Sequence, residues 1–310
     1  MTKVFIDGSA GTTGLRIFER LGERKDIKLI SLPEEMRKDL SARKEAINSS
    51  DVSFLCLPDA AATEAVSLVE NPNTVILDTS TAHRTMEGWA YGFPELSQKH
   101  FDNVKNSKRI SVPGCHASGF IALVYPLVEK GILSPSCRLT CHSLTGFSGG
   151  GKKMIAQYGE EGRSALLNAP RQYGITQNHK HLKEMKFVTG IDYEPVFSPI
   201  VADFYSGMEL TVPIFKSQLE KGFTASDIKA VYSEKYNSSI VSFVENTDEE
   251  GFLSANALSG RDNMQISVYG NEERIILVAR YDNLGKGASG AAIECMNIIS
   301  GNSPDYMLNI

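Results

Sequence analysis

The 310 residues carry 42% hydrophobic and 22% charged side chains and a formal net charge of −5. That composition supports two domains or one large one, with a core that needs no disulfide or metal staple. The acidic balance gives no electrostatic reason to expect a nucleic acid or an anionic membrane as partner, so an anionic ligand must be met by locally placed cations and backbone N–H groups. Five cysteines without disulfide-like spacing fit a reducing compartment. Residues 1–11 show no signal-peptide pattern, and no apolar run reaches the roughly 18 residues of a membrane span. The expectation is a cytoplasmic protein.

In chain order, short apolar runs at 4–7, 27–32, 52–57, 75–78 and 109–112 alternate with helical patterns at 15–22, 34–47 and 60–70. Such alternation implies βαβ units and a parallel sheet of Rossmann type. Beyond Cys115 the pattern changes. A buried helix is expected over 117–131, strands over 137–144, 209–215, 240–244, 265–269 and 274–281, a helix over 225–236, and a Gly/Ala-rich helix over 286–299. Gly270-Asn271 between two of these strands reads as a hairpin turn. The fold class is therefore α/β, with a Rossmann-type parallel sheet domain at 1–114, completed by 285–310. The second domain, 115–284, is α+β with a mostly antiparallel sheet.

The first apolar run ends in Asp7-Gly8-Ser9-Ala10-Gly11-Thr12-Thr13-Gly14. A glycine turn between a strand and a helix lets backbone approach a pyrophosphate, and the helix N-terminus supplies N–H donors. Gly8, Gly11 and Gly14, with the hydroxyls of Thr12 and Thr13, are cofactor-binding candidates; a tight turn with no ligand is the competing reading. An NAD site places an acid near the end of the second strand. Here that strand ends at Ser31, and Arg37 and Lys38 follow Glu34. Ser31 and Arg37 suit a 2′-phosphate, hence NADP, although a solvated helix face would carry the same cations.

Ser111-Val112-Pro113-Gly114-Cys115-His116 places a cysteine where a strand gives way to a helix. A helix N-terminus stabilises a thiolate and can hold an oxyanion. Cys56 and Cys295 read instead as buried structural cysteines. His179 and His181, in a polar segment following a helical pattern, are the acid/base candidates; His181 is preferred and His179 stays open. His116 adjoins Cys115, but a sequence neighbour often points elsewhere. Cys137, Cys141 and His142 lack a closed ligand set in a strand, so no metal site is expected. Residues 143–153 form a second Gly-rich stretch, Ser143 to Lys153, able to nest an anion or to remain a flexible loop.

These motifs, together with Asp282-Asn283-Leu284-Gly285-Lys286-Gly287-Ala288, Asp78-Thr79-Ser80-Thr81-Ala82-His83-Arg84 and Gly92-Phe93-Pro94-Glu95, resemble the N-acetyl-γ-glutamyl-phosphate reductase family, in its short form, over nearly the whole chain. The resemblance implies NADPH-dependent reduction of N-acetylglutamyl phosphate to the semialdehyde, in arginine biosynthesis, through a thioester on Cys115. It implies Asn283 near the nicotinamide, Arg84, Ser148 and Lys152 as substrate-binding candidates, and a homodimer or homotetramer. His116 stands where the long form commonly has an aromatic residue. Two other readings stay open: an aspartate-semialdehyde or lysine-pathway analogue, and a non-catalytic NADP-binding sensor.

Overall fold

The computed structural model describes all 310 residues. The chain divides into two compact units: Met1–Pro94, Gln98–Gly114 and Ala288–Tyr306 form one, and Glu95–Ser97, Cys115–Gly287 and Met307–Ile310 the other.

The first unit is built on six short strands: β1 (Thr2–Asp7), β2 (Ile27–Ile30), β3 (Val52–Leu55), β4 (Val75–Asp78), β5 (Ala90–Tyr91) and β6 (Arg109–Ser111). They lie in the order β2-β1-β3-β4-β6-β5, and every pairing is parallel. Strands β3 and β4 are buried at every residue, which is why they read as continuous apolar runs rather than alternating ones. Helices α1 (Thr12–Gly22), α2 (Leu40–Ser49), α3 (Asp59–Ser67) and α4 (Gln98–Asn106) connect them. Phe5, Leu55 and Ile76 from the sheet pack with Ala46, Ile47 and Ala65 from α2 and α3. The continuous helix expected over 34–47 is broken. A 3₁₀ turn, Glu34–Met36, precedes α2, because the Asp39 carboxylate accepts from Ala42 N–H at 2.7 Å and starts a new helix there.

The second unit opens with α5 (Cys115–Glu129), whose residues His116 to Val124 are all buried. It continues through β7 (Thr140–Gly146), α6 (Gly151–Gly159), β8 (Arg171–Gln172), α7 (His181–Thr189), β9 (Val196–Ala202), β10 (Met208–Phe215), α8 (Ala225–Lys235), β11 (Val241–Phe243), β12 (Met264–Gly270) and β13 (Arg274–Tyr281). The sheet order is β11-β12-β13-β10-β7-β9-β8. Four of its six pairings are antiparallel, and β11–β12 and β7–β9 are parallel. The strand β9 was not anticipated. Pro199 lies within it, and a proline demotes an apolar run when only sequence is read. Strands β12 and β13 form the expected hairpin, closed by Asn271 N–H donating to Arg274 O at 2.8 Å.

The last helix, α9 (Gly290–Ile299), belongs to the first unit, where it packs against α4 and β4. It begins four residues later than expected, after a π turn over Gly285–Ser289. Gly287 N–H reaches back to Asp282 O at 3.0 Å, the i→i+5 pattern that widens a helix and recurs at functional sites.

Pro126 sits inside α5 and has no N–H to give to Ala122 O, four residues earlier. Tyr236 Oη donates to that carbonyl at 2.7 Å, and Tyr232 Oη donates to Leu123 O at 2.5 Å. Both tyrosines are fully buried, and burial holds both phenols well above their ordinary pKa. They therefore stay neutral donors and close the gap that Pro126 opens. Tyr236→Phe should leave Ala122 O unpaired and cost about 1–3 kcal/mol in urea unfolding. Tyr125→Phe, which removes a partly exposed hydroxyl bonded to Glu129 and Ser97, should cost less than Tyr236→Phe, within about 1 kcal/mol.

Candidate active site

Two strand-to-helix turns carry the candidate residues, one in each unit. In the first, β1 runs into Gly8 and then α1. Gly8 has φ of +85°, and a Cβ on it would lie 2.2 Å from Cys56 O. A Cβ on Gly14 would lie 2.4 Å from Gly8 O. These two glycines are demanded by the close approach of the turn to itself and to the end of β3. Gly11 differs: a Cβ there would meet nothing nearer than 3.4 Å, so the fold alone does not require a glycine.

The N-terminus of α1 has neither a side-chain cap nor an acid in its first turn, leaving its N–H groups and dipole to an anion. Thr12 Oγ1 is buried without a hydrogen-bond partner, an unmet acceptor and donor in the same turn. The site lies where β1 is flanked by β2 and β3, the switch point of the sheet. These features fit a dinucleotide. Ser31 directly follows β2, and Ser31 and Arg37 are both exposed. Arg84 is buried, and two of its donors hold carbonyls, Val112 O at 2.9 Å and Thr79 O at 2.8 Å. It thus ties the loop after β4 to the segment leading out of β6.

In the second unit Cys115 is the first residue of α5 and half-buried. None of the five cysteines is in a disulfide. Burial pushes Cys56 up to about 12, with Asp78 and Asp7 adding to it, and raises Cys141 further still. Both are inert thiols. The first turn of α5 is fixed by Tyr281, whose Oη donates to Cys115 O at 2.6 Å and accepts from Gly119 N–H at 3.1 Å. A Cβ on Gly119 would come within 2.6 Å of that hydroxyl, so the tyrosine explains the glycine. The π turn closes over the same residue: a Cβ on Gly287 would lie 3.1 Å from Cys115 Cβ.

Three imidazoles cluster beside this turn. His116 lies 5.7 Å from His179 and 5.7 Å from His181, and those two lie 4.7 Å apart edge to face. Phe197 closes the group, 5.2 Å from His116 and 5.1 Å from His179. The histidine pair does not follow a helix, as the sequence suggested. It starts one, because His181 is the first residue of α7 and its N–H donates to His179 Nδ1 at 3.2 Å. That bond puts the proton of neutral His179 on Nε2. Burial, with Lys180 beside it, lowers the His179 pKa from its ordinary 6.5.

Asn283 is buried; its Oδ1 accepts from Gly207 N–H at 2.9 Å and its Nδ2 donates to Ser148 Oγ at 3.0 Å. Ser148, itself buried, lies in the 3₁₀ turn Phe147–Gly150. Lys152 follows as an exposed residue in the first turn of α6. The Gly-rich stretch is thus an ordered turn rather than a flexible loop.

Sequence reasoning passed over His116, Tyr173, Ser143, Tyr281 and Asp282. His116 had been set aside for its adjacency to Cys115, yet its ring joins the cluster. Asp282 was legible only inside a motif; its carboxylate accepts from Leu284 N–H at 2.6 Å, Gly285 N–H at 3.0 Å, Ser206 Oγ at 2.7 Å and Gly260 N–H at 2.5 Å, and so anchors the loop bearing Asn283 and Gly287. Nothing in the local sequence marks Tyr173.

Residues 3–104 match the semialdehyde dehydrogenase NAD binding domain, and residues 115–283 the semialdehyde dehydrogenase dimerisation domain. A nicotinamide cofactor therefore belongs to the first unit. The fold is shared with aspartate semialdehyde dehydrogenase II from Vibrio cholerae, solved in complex with ASA (TM-score 0.70, 14% identity, 97% of this chain and 98% of that one). It is shared equally with the Candida albicans enzyme solved with NADP (TM-score 0.69, 16% identity, 97% and 98%). Two N-acetyl-gamma-glutamyl-phosphate reductases are far nearer in sequence. That of Trichormus variabilis is 43% identical over 96% of this chain and 97% of its own, and that of Brucella ovis 42% over 96% and 99%. The chain belongs to the N-acetyl-γ-glutamyl-phosphate reductase family, within the semialdehyde dehydrogenases.

Proposed function

We propose that this chain catalyses the reversible NADPH-dependent reduction of N-acetylglutamyl phosphate to N-acetylglutamate semialdehyde, in arginine biosynthesis, with Cys115 as covalent nucleophile. One observation carries the reading: Cys115 opens a buried helix, and the residue after it, His116, clusters with His179 and His181. The helix N-terminus and its N–H groups favour the thiolate over the thiol. That thiolate attacks the acyl carbon, the C–O bond to phosphate breaks, and a thioester on Cys115 remains while phosphate leaves with a proton. An acyl phosphate is already activated, so the attack needs no ATP. The N–H groups of the first turn of α5 can hold the oxyanion of the tetrahedral state.

The bound nicotinamide supplies the hydride that turns the acyl group into the aldehyde. Gly8, Gly11, Thr12, Thr13 and Gly14 hold its pyrophosphate, Ser31 and Arg37 meet a 2′-phosphate, and Asn283 presents its fixed amide to the nicotinamide end. Arg84, Ser148 and Lys152 serve the anionic substrate. Among them Lys152 has an exposed cation, whereas Arg84 contributes chiefly by shaping its loop. The His179–His181 pair exchanges the proton. The assembly is a homodimer or homotetramer, for which the exposed row Val196, Thr140, Pro213 and Ile276 across the second sheet offers a self-complementary face.

Cys115→Ser should retain cofactor binding by fluorescence titration and lose nearly all turnover. Iodoacetamide should inactivate the wild type quickly at neutral pH, and substrate should slow it. A Cys115→Ser enzyme turning over at the wild-type rate would overturn the mechanism.

Because burial and Lys180 depress the His179 pKa, its neutral form persists below the ordinary value. The acid limb of kcat/KM should therefore fall below pH 6.5. His179→Gln and His181→Gln should each be assayed; the acid/base member loses on the order of 10²–10⁴ in kcat, and the limb should vanish with it. Retention of the full rate in both variants would remove the pair from the reaction.

Arg37→Ala should raise KM for NADPH about tenfold while leaving KM for NADH unchanged, as expected for one lost charge-assisted bond of about 1.4 kcal/mol. Equal effects on the two cofactors would argue against a 2′-phosphate contact.

A further inference from the structure

Lys286 lies in the π turn Gly285–Ser289 and is buried to 2% exposure. Its Nζ donates to Glu95 Oε1 at 2.7 Å, and the Glu95 side chain is 13% exposed. Both residues belong to the second unit. Glu95 sits in the 3₁₀ turn Pro94–Leu96, and the carbonyl of Leu96 accepts from Lys235 Nζ at 2.5 Å. Glu95 is therefore a fixed post. A buried ion pair repays the loss of water only when its remaining lone pairs are also bonded. This pair fails that condition, because Glu95 Oε2 is buried with no hydrogen-bond partner. Stability is thus a poor account of it, and the place it holds is a better one.

That place is a turn of an uncommon kind. In an α-helix the N–H of Lys286 would reach Asp282 O; here the N–H of Gly287 does, at 3.0 Å. The Asp282 carboxylate sets the near end by taking Leu284 N–H and Gly285 N–H. The far end carries Gly287. Its φ is not positive, so the backbone there does not demand a glycine. Its neighbours do: an added Cβ would lie 3.0 Å from Asp282 O, 3.1 Å from Cys115 Cβ and 3.4 Å from Cys115 Cα. Across this contact the first turn of α5 cannot retreat. Tyr281 Oη holds Cys115 O and Gly119 N–H. The next residue, His116, is bonded to Ser143 Oγ at 2.7 Å and to Tyr173 Oη at 2.5 Å. A shift of the π turn therefore falls on the Cys115 side chain.

We infer that the Lys286–Glu95 ion pair is a positioning device for Cys115: it holds the π turn so that Gly287 packs on the cysteine and limits where its sulfur can point. The inference rests on Cys115 being the nucleophile. Lys286 and Glu95 act through Gly287 and are positioning residues.

The test compares wild type, Lys286→Met, the double variant Glu95→Leu/Lys286→Met, and Gly287→Ala. Each is melted, assayed with N-acetylglutamate semialdehyde, phosphate and NADP, and labelled at Cys115 with iodoacetamide at neutral pH without substrate. Lys286→Met strands a buried carboxylate and should melt below the wild type. The double variant replaces both charges with apolar groups of similar size and should melt near the wild type or above it. Its kcat should nevertheless fall about 10- to 100-fold, the scale of a displacement of about 1 Å at the reacting centre, with KM for NADP within about twofold. Its labelling should slow about threefold or more as the sulfur leaves the helix N-terminus that favours the thiolate. A double variant with wild-type kcat overturns the inference, because the pair would then serve folding alone. Gly287→Ala keeps the pair and sets a methyl against Cys115, and should lower kcat without a matching loss of melting temperature. If the double variant does not fold, Gly287→Ala decides, and a wild-type kcat there overturns the inference. A wild type that does not turn over the semialdehyde sinks the substrate assignment instead, and the labelling rates then decide the inference.

Discussion

The chemistry assigned to Cys115 depends on one turn of helix keeping its N–H groups available while the helix behind it is removed from water. Burial of α5 raises the effect of its dipole, because neither water nor a counter-ion screens it. Burial also makes the helix costly to perturb, and three features address that cost. Tyr281 spans the first turn through Cys115 O and Gly119 N–H, Gly119 supplies the room, and Tyr232 and Tyr236 satisfy the carbonyls around Pro126. A loose first turn would let the thiolate drift; an unsatisfied carbonyl further along would bend the whole element. Cys115 is thus placed by neutral hydroxyls on residues far from it in sequence.

The same physical device occurs twice. Each unit has an uncapped helix start beside a glycine: α1 after Gly11, and α5 after Gly114. Neither glycine has a side chain with which to cap the helix that follows it. Among the other helices α2 is capped by Asp39 and α8 by a Thr224–Asp227 box, whereas α3, α6, α7 and α9 start without a side-chain cap. A missing cap alone therefore marks no site; what sets the start of α1 apart is Thr12 Oγ1, buried there without a partner.

Much of this was legible in the sequence, and the rest was hidden for identifiable reasons. Parallel strands buried on both faces announce themselves as apolar runs, and the glycine turn after β1 announces itself by spacing. The start of α5 could be read from Pro113-Gly114-Cys115 because a strand-to-helix junction is a local event. Strand β9 could not, since Pro199 contradicts the pattern and only pairing with β7 rescues it. The π turn at Gly285–Ser289 was taken into the following helix because its cause, the Asp282 carboxylate gathering N–H groups from two loops, is not local. His116 and Tyr173 are 57 residues apart, and no periodicity encodes a contact at that distance.

A full cation placed against Cys115 would populate the thiolate more completely than any of these donors. It would also make the sulfur a weaker nucleophile, because nucleophilicity falls as thiol pKa falls. The groups gathered here are of a different kind. His116 is neutral because it is buried, and His179 is pushed toward neutrality by burial and Lys180. Tyr173 and Tyr281 remain phenols, and the helix contributes only fractional charge. On the proposed mechanism, neutral dipoles would stabilise the anion while leaving it reactive toward an acyl carbon. They also favour the reverse event, since the same thiolate must depart when the aldehyde is released. The acidic balance of the whole chain is no obstacle to such a site, because a helix N-terminus can hold negative charge with oriented N–H groups and needs no surplus of lysine and arginine.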